Sequence, residues 1–257
     1  MFQAHSFLWH YLWVAPNVLL GVLAGVLWKR KLHKEFRSFF LFAWFEFVQW
    51  LVLYPMDLLP RISAATFWTT YWVSEILESV LFFLVVSDVF VSLFSQYEAL
   101  ARFGKLLIRW GGALLIVTAA GIAAYAPAQN RYWGIQANNI LEEAIYVVVS
   151  GLMLLLFASA AYFRLAWQHK VYGIALGLGF SACIHLAAWA ISANRILPGS
   201  THNIIDLIDM ATSHVAVLIW FYYLLIPEKA PAKQPSVSLP ENNLAVWNRE
   251  LERFLQP

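Results

Sequence analysis

The stretch SEILESVLFFLVVSDVF, residues 74–90, carries three carboxylates within a run that is apolar enough to cross a lipid bilayer. An ionisable group at bilayer depth costs about 3 kcal/mol on insertion scales, so such groups normally face a bundle interior or a water-filled cavity. At the 3.6-residue period of an α-helix, Glu75 and Glu78 share one face, whereas Asp88 points roughly the other way. We therefore expect Glu75 and Glu78 to face one polar interior and Asp88 to lie apart from them.

The rest of the chain has the same apolar character. Of its 257 residues, 61% are hydrophobic and 12% are charged, against roughly 25% charged in an ordinary soluble domain. The apolar residues fall into blocks of about 20 or more, the length that a helix needs to cross a hydrocarbon core roughly 30 Å thick. The sequence predicts an all-α, polytopic protein of the lipid bilayer, a seven-transmembrane-helix bundle with spans at 7–28, 36–59, 65–94, 105–127, 135–167, 172–196 and 203–226.

The basic residues predict the orientation of this bundle. The segment KRKLHKEFR, residues 29–37, follows the first span, and the other loops on its side hold further Lys and Arg, whereas the opposite loops hold only Arg61, Arg131 and Arg195. Short loops rich in Lys and Arg stay in the cytoplasm, so we expect the N-terminus outside and the C-terminus inside. No basic residue precedes the first span, which predicts a retained helix and not a cleaved signal peptide.

The chain is predicted to have one membrane domain and a cytoplasmic tail. The bundle covers residues 1–227, and residues 228–240, rich in Pro, Lys and Ser, predict a flexible linker. Residues 241–257 repeat Leu, Trp and Phe at helical spacing, which predicts a short amphipathic helix. This helix either lies on the inner membrane surface or docks a cytoplasmic protein partner. No basic run interleaved with aromatic residues points to nucleic acid.

Polar side chains also share one face in other spans. These faces carry Glu46, Gln49, Trp50 and Asp57 in the second span, Asn138, Asn139, Glu142, Tyr146 and Ser150 in the fifth, and His202, Asp206, Asp209 and Ser213 in the seventh. In the sixth span Gly173, Gly177, Ser181 and His185 recur every four residues. Small residues in such a row let another helix approach closely, which places His185 on a packed interior face. At about 1.5 Å per residue, the polar stripes converge on the external side.

These stripes predict a polar pocket that opens outward. Nine of the fifteen acidic residues lie within the spans or at their ends, and no Lys or Arg reaches the same depth. Carboxylates without a basic partner either hold protons or surround a cation. The predicted ligand-binding residues are Glu46, Tyr71, Glu75, Glu78, Asn138, Glu142, Tyr146, His185, Asp206 and Asp209. In the opposing interpretation these side chains only join helices through hydrogen bonds, each contributing about 0.6 to 2 kcal/mol.

The sequence is compatible with several kinds of ligand in this pocket. A divalent metal could bind Glu75, Glu78, His185 and His214 as in helical di-metal bundles, and haem could sit between the two histidines, although mid-membrane histidines are more often core residues. A small cationic or zwitterionic ligand could bind through charge and cation–π attraction, and the acids could transfer protons or cations. The chain has no ExxH or HExxH run, and its single cysteine, Cys183, excludes a multi-cysteine metal motif.

No motif in the sequence supports a retinal pigment or a nucleophilic hydrolase. Retinal requires a Schiff-base lysine in the last helix, and the seventh span has no lysine. A nucleophilic hydrolase of the GxSxG type is also excluded by the absence of that motif. No recognised catalytic motif remains, so the sequence favours a protein that is not an enzyme.

Three segments carry a family resemblance. They are YWVSEILESVLFFLVVSDVF at 71–90, VYGIALGLGFSACIHLA at 171–187 and LPENNLAVWNRELERFL at 239–255. They resemble segments of a group of uncharacterised seven-helix bacterial inner-membrane proteins. The resemblance implies the seven-helix architecture and a multi-pass location in the bacterial inner (cytoplasmic) membrane. It implies no chemistry for any residue.

The sequence therefore favours recognition over catalysis. We expect a receptor-like, sensory or accessory membrane protein that binds a small ligand or cation in an outward-facing acidic and aromatic pocket. The alternative is an intramembrane metal- or haem-dependent enzyme that uses His185 and His214 as ligands. A third hypothesis is an ion or proton transporter or a structural subunit of a membrane complex, and the absence of an internal repeat argues against a transporter.

Overall fold

The computed structural model of the protein describes residues 6–59, 62–94, 98–124, 133–162, 165, 167–192, 199–226 and 249. Within these residues the chain is helical and has no strand, which confirms the predicted all-α class. The helices are α1 (Phe7–Lys29), α2 (Arg37–Leu58), α3 (Ala64–Phe94), α4 (Glu98–Ala124), α5 (Trp133–Tyr162), α6 (His169–Ser192) and α7 (Gly199–Leu225), with a 3₁₀ turn at Leu32–Lys34. The predicted linker at 228–240 and tail helix at 241–257 lie outside the described residues, apart from Arg249.

Most of these helices are long and apolar enough to cross a membrane. In the described part of the chain, six of them meet this condition, namely α1, α2, α3, α5, α6 and α7. Each contains at least 18 residues of high mean hydropathy with few charges. The protein is therefore a multi-pass membrane protein whose solvent is the lipid bilayer.

The helices form a bundle in which α4 is peripheral. Helix α1 packs against α2 and α7, α2 packs against α3, and α6 packs against both α5 and α7. Helix α3 also contacts α5 and α6, which closes the bundle, whereas the described part of α4 packs mainly against α3 and α5. The side chains of Trp110, Ile116 and Val117 on α4 are about two thirds exposed. These contacts and exposures place the described part of α4 at the edge of the bundle.

In the described part of the chain, the tightly packed apolar core occupies one end of the bundle. It is built from the C-terminal halves of α1, α3 and α7, the C-terminal part of α5 and the N-terminal parts of α2 and α6. Its fully buried side chains include Leu23, Leu27, Phe39, Val86, Phe90, Leu156, Ile174, Leu178 and Leu224. This end adjoins the turn that carries Lys29, Arg30, Lys31 and Lys34, and we call it the basic end. The opposite, polar end holds the acids Glu46, Asp57, Glu75, Glu78 and Asp209.

Helices α6 and α7 approach each other closely because glycine provides the space. A Cβ atom added at Gly173 would overlap the Cβ of Tyr223, and one added at Gly177 would overlap the indole of Trp220. Trp220 Nε1 donates to the Ile174 carbonyl oxygen at 3.3 Å, which bonds the two helices at this level. The predicted close approach along the row of small residues is confirmed, and α7 is the helix that makes it.

Candidate functional site

The polar end contains a cavity of about 580 Å³ between α1, α2, α3 and α7, which we call the outer vestibule. Five acidic side chains line it, namely Glu46, Asp57, Glu75, Glu78 and Asp209. None of the described lining residues is Lys or Arg. Because a cleft lined by one sign of charge with low-dielectric walls concentrates counter-ions, this cavity has the electrostatics of a cation site.

Aromatic rings form much of the remaining wall of the outer vestibule. They are Trp9, Trp13, Trp50, Phe67, Trp68 and Tyr71. The rings of Trp9 and Trp13 meet edge to face with centroids 4.6 Å apart, and those of Trp68 and Tyr71 do so at 5.7 Å. The faces of Trp and Tyr attract a cation that lies within about 6 Å of the ring centroid. The vestibule therefore combines carboxylates with a surface that suits an organic cation.

A second cavity, of about 120 Å³, adjoins the vestibule deeper in the bundle, and we call it the inner cavity. Asn17, Glu46 and Glu78 line both cavities and so form their boundary. The remaining lining divides into polar side chains, which are Ser79, Tyr146, Ser181, His185 and Ser213, and apolar ones, which are Pro16, Leu20, Phe42, Phe82, Ile145, Ala216, Val217 and Trp220. A cavity of this size and polarity has room for several water molecules or for a small substituent of a ligand.

A hydrogen-bonded cluster stands at the boundary between the two cavities. Gln49 Nε2 donates to Glu78 Oε2 at 3.3 Å, and the Glu46 and Glu78 carboxyl groups lie within hydrogen-bonding reach of each other. Glu75 is close enough to Glu46 to act on it electrostatically. Two acceptor atoms of the cluster, Glu46 Oε1 and Gln49 Oε1, are buried without a hydrogen-bond partner. Buried acceptors without a partner are few in native proteins, so these two atoms are candidates to accept a hydrogen bond from a molecule in the cavities.

The geometry of these residues follows from helical spacing. Glu46 and Gln49 are three residues apart on α2, as are Glu75 and Glu78 on α3, so each pair lies on one helix face. Helices α2 and α3 pack against each other, which brings the two faces together. On α1, the side chain of Asn17 donates to the Trp13 carbonyl oxygen at 2.9 Å. This bond holds the Asn17 amide against its own helix at the cavity boundary.

His185 is paired with Asp209 across the α6–α7 interface. The His185 Nδ1 and Asp209 Oδ1 atoms are 2.5 Å apart, and the two side chains are 17% and 35% exposed. The His185 ring also stacks on Tyr146 of α5, with ring centroids 4.8 Å apart and planes 9° from parallel. His185 lines the inner cavity and Asp209 lines the vestibule, so this pair links the walls of the two cavities and joins three helices.

His214 lies away from both cavities. It lines an open groove of about 580 Å³ between α1 and α7, together with His10, Tyr11 and apolar side chains of α1. Its ring centroid is 5.8 Å from that of Tyr11. His185 and His214 therefore face different spaces, although they lie on neighbouring helices.

The structure brings seven of the ten predicted ligand-binding residues to the two cavities. Glu46 and Glu78 line both, Tyr71, Glu75 and Asp209 line the outer vestibule, and Tyr146 and His185 line the inner cavity. The side chains of Asn138, Glu142 and Asp206 lie outside the described part of the structure.

The four residues of the predicted metal site are divided among three cavities. Glu75 lines the outer vestibule, Glu78 lines both the vestibule and the inner cavity, His185 lines the inner cavity, and His214 lines the groove on α1 and α7. Among the described residues, no three His, Cys, Asp or Glu side chains are grouped as metal ligands. The metal and haem hypotheses stay predictions.

Asp88 lies at the other end of the bundle. It lines a cavity of about 270 Å³ beside the basic turn, together with Lys34, Glu35 and Arg37. The helical phase predicted that Asp88 lies apart from Glu75 and Glu78, and these positions agree with that prediction. The three carboxylates of the 74–90 stretch therefore belong to two different polar environments.

Trp9 and Trp13 line the vestibule although neither was a sequence candidate. Both are aromatic residues of an apolar span, where tryptophan is common for reasons of membrane anchoring alone. The available signal was their spacing, because Trp9, Trp13 and Asn17 recur every four residues and share one face of α1.

Comparison of the chain with protein-family models, with curated proteins and with solved structures found no match. The case for a function therefore depends on the geometry and chemistry of the two cavities.

Proposed function

We propose that the protein is a receptor-like or sensory membrane module that binds a small cation or cationic ligand in the outer vestibule. The observation that carries this proposal is the set of five acidic side chains around one cavity whose described lining has no Lys or Arg. Carboxylates gathered around one cavity repel one another when they are ionised, and a bound cation would offset that repulsion. The aromatic rings in the same wall support an organic cation as well as an inorganic one.

The proposal includes seven spans in a bacterial inner membrane, with the N-terminus and the vestibule facing outward. Helix α4 would be the fourth of the seven spans, a role that the exposure of its Trp110, Ile116 and Val117 side chains supports. The turn after α1 carries Lys29, Arg30, Lys31 and Lys34, and the basic ends of membrane bundles face the cytoplasm. The vestibule is at the opposite end and would therefore meet ligands from outside the cell. The family resemblance supports the choice of membrane.

The orientation can be tested by cysteine labelling. In a Cys183→Ser background, Ala64→Cys places a thiol in an exposed position at the polar end, and Lys34→Cys places one in an exposed position at the basic end. We expect a membrane-impermeant maleimide to label Ala64→Cys in intact spheroplasts and Lys34→Cys only after permeabilisation. The reverse pattern would place the vestibule in the cytoplasm and contradict an external ligand.

Cation binding can be tested by calorimetric titration of the full-length protein in detergent. The probes are Na⁺, Ca²⁺, n-butylammonium and 2-phenylethylammonium, with 2-phenylethanol as the neutral control. We expect saturable binding of at least one cation and no binding of the alcohol. Glu78→Gln should weaken binding about tenfold, equivalent to about 1.4 kcal/mol, because a hydrogen bond to a charged group contributes about 1.5 to 3 kcal/mol.

The matched control is Asp88→Asn, which removes a carboxylate of the same helix at the basic end. This variant should bind the probes as tightly as the wild type. If no cation binds the wild type, or if Glu78→Gln and Asp88→Asn behave alike, the vestibule is not the proposed site.

A further inference from the structure

The acceptors at the boundary of the two cavities restrict the chemistry of the ligand. Glu46 Oε1 and Gln49 Oε1 are buried and have no hydrogen-bond partner. The orientation of the Gln49 amide follows from its neighbour, because an ionised carboxylate only accepts hydrogen bonds and Nε2 faces Glu78 Oε2. Gln49 Oε1 is therefore an acceptor. Both unpartnered atoms belong to side chains that interact with the Glu78 carboxyl group.

Different cations would satisfy these acceptors to different extents. A quaternary ammonium carries charge but no N–H group, so it can donate to neither acceptor, and a buried acceptor without a hydrogen bond weakens binding. Ca²⁺ prefers six to eight oxygen ligands, and no group of three acidic or imidazole side chains is arranged as a metal site among the described residues. A primary ammonium or a guanidinium supplies both charge and several N–H donors.

The surroundings of the boundary favour an organic group attached to that cation. On the vestibule side, the wall of the cavity includes the rings of Trp9, Trp13 and Trp50. On the other side the inner cavity, of about 120 Å³, ends in apolar side chains such as Phe42, Phe82 and Trp220. A hydrated inorganic ion would gain little from either surface, whereas an organic substituent would bury apolar area against them.

We propose that the ligand of this site is an organic cation with at least two N–H donors, a primary ammonium or a guanidinium, whose charged group lies between Glu46, Gln49 and Glu78. This inference depends on the proposed function and defines its ligand class. The charged group donates to Glu46 Oε1 and Gln49 Oε1 while the Glu78 carboxylate balances its charge. Its organic part contacts the aromatic wall of the outer vestibule.

Matched pairs of probes test the requirement for N–H donors. The full-length protein in detergent is titrated calorimetrically with n-butylammonium and n-butyltrimethylammonium, and with 2-phenylethylammonium and its N,N,N-trimethyl counterpart. We expect at least one primary amine to bind tenfold or more tightly than its trimethyl counterpart. Glu46→Gln should remove most of this preference. The introduced side-chain amide can itself donate N–H hydrogen bonds within the cluster, so the donors of the ligand are no longer needed. Glu35→Gln, at the basic end, serves as the control and should keep the preference.

The outcomes separate this inference from the proposed function. If a trimethyl probe binds as tightly as its primary amine, or if only Na⁺ or Ca²⁺ binds, the N–H donor requirement is wrong and the vestibule remains a cation site. If no cation of either panel binds the wild type, both proposals fail. If the preference for a primary amine survives in Glu46→Gln, the donors are recognised elsewhere and the assignment of the boundary is wrong.

Discussion

Gly173→Ala is expected to destabilise the bundle by about 2 to 3 kcal/mol, at the upper end of what overpacking of a well-packed interior costs. An added methyl group would overlap the Cβ atom of Tyr223. A Cβ atom is fixed to its backbone and cannot rotate away, so α6 and α7 would have to separate. Thermal unfolding of the purified protein in detergent measures the effect as a lower melting temperature.

Gly151→Ala on α5 is the matched control. A Cβ atom at that position meets nothing within 4 Å, and alanine favours a helix over glycine by about 1 kcal/mol. We expect this variant to melt at or slightly above the wild-type temperature. Equal melting of the two variants would show that α6 and α7 are farther apart than described, and the pairing of His185 with Asp209 would then need a different basis.

The pair of His185 and Asp209 is expected to contribute about 2 kcal/mol of coupling energy to the stability of the bundle. Removing one partner of a fully buried pair costs about 3 to 5 kcal/mol, and the partial exposure of these two side chains reduces that value. The test is a double-mutant cycle of His185→Ala and Asp209→Ala, followed by thermal or denaturant unfolding in detergent. The sum of the two single-substitution effects should exceed the effect of the double substitution, because either substitution alone removes the same contact.

His214→Ala provides the control cycle. His214 is on the same helix as Asp209 but lines the groove beside Tyr11, so its substitution should add to that of Asp209→Ala without coupling. A coupling energy near zero for His185 and Asp209, or one equal to that of the control cycle, would contradict the described interface. Coupling restricted to His185 would also show which of the two intramembrane histidines belongs to the cavity walls.

Helical phase alone predicted much of the candidate site. The three-residue spacing of Glu75 and Glu78 placed both on one face of α3, and the same argument grouped Glu46 with Gln49 and Asp57 on α2. These predictions succeed because the period of an α-helix is fixed by its backbone, and because charge cannot face lipid without a large cost. The row from Gly173 to His185 predicted a close helix contact for a similar reason, since only small side chains allow it.

Partners on different helices could not be predicted in this way. His185 and His214 lie at similar depth on neighbouring helices, and the sequence suggested that they converge. In the structure His185 meets Asp209 and Tyr146, while His214 faces a groove beside α1. The rotation of each helix about its own axis decides which side chains meet, and that rotation results from packing among all neighbouring helices.

The sequence by itself determined that this is a helical membrane protein whose acids face the interior, because hydrophobic length, helical period and the cost of charge in lipid are local properties. Only the tertiary structure decided that the packed apolar core lies at the basic end and that two joined cavities lie at the polar end. It also decided that Trp9 and Trp13 belong to the vestibule wall. These features depend on how the ridges of several helices fit together, which no single span encodes.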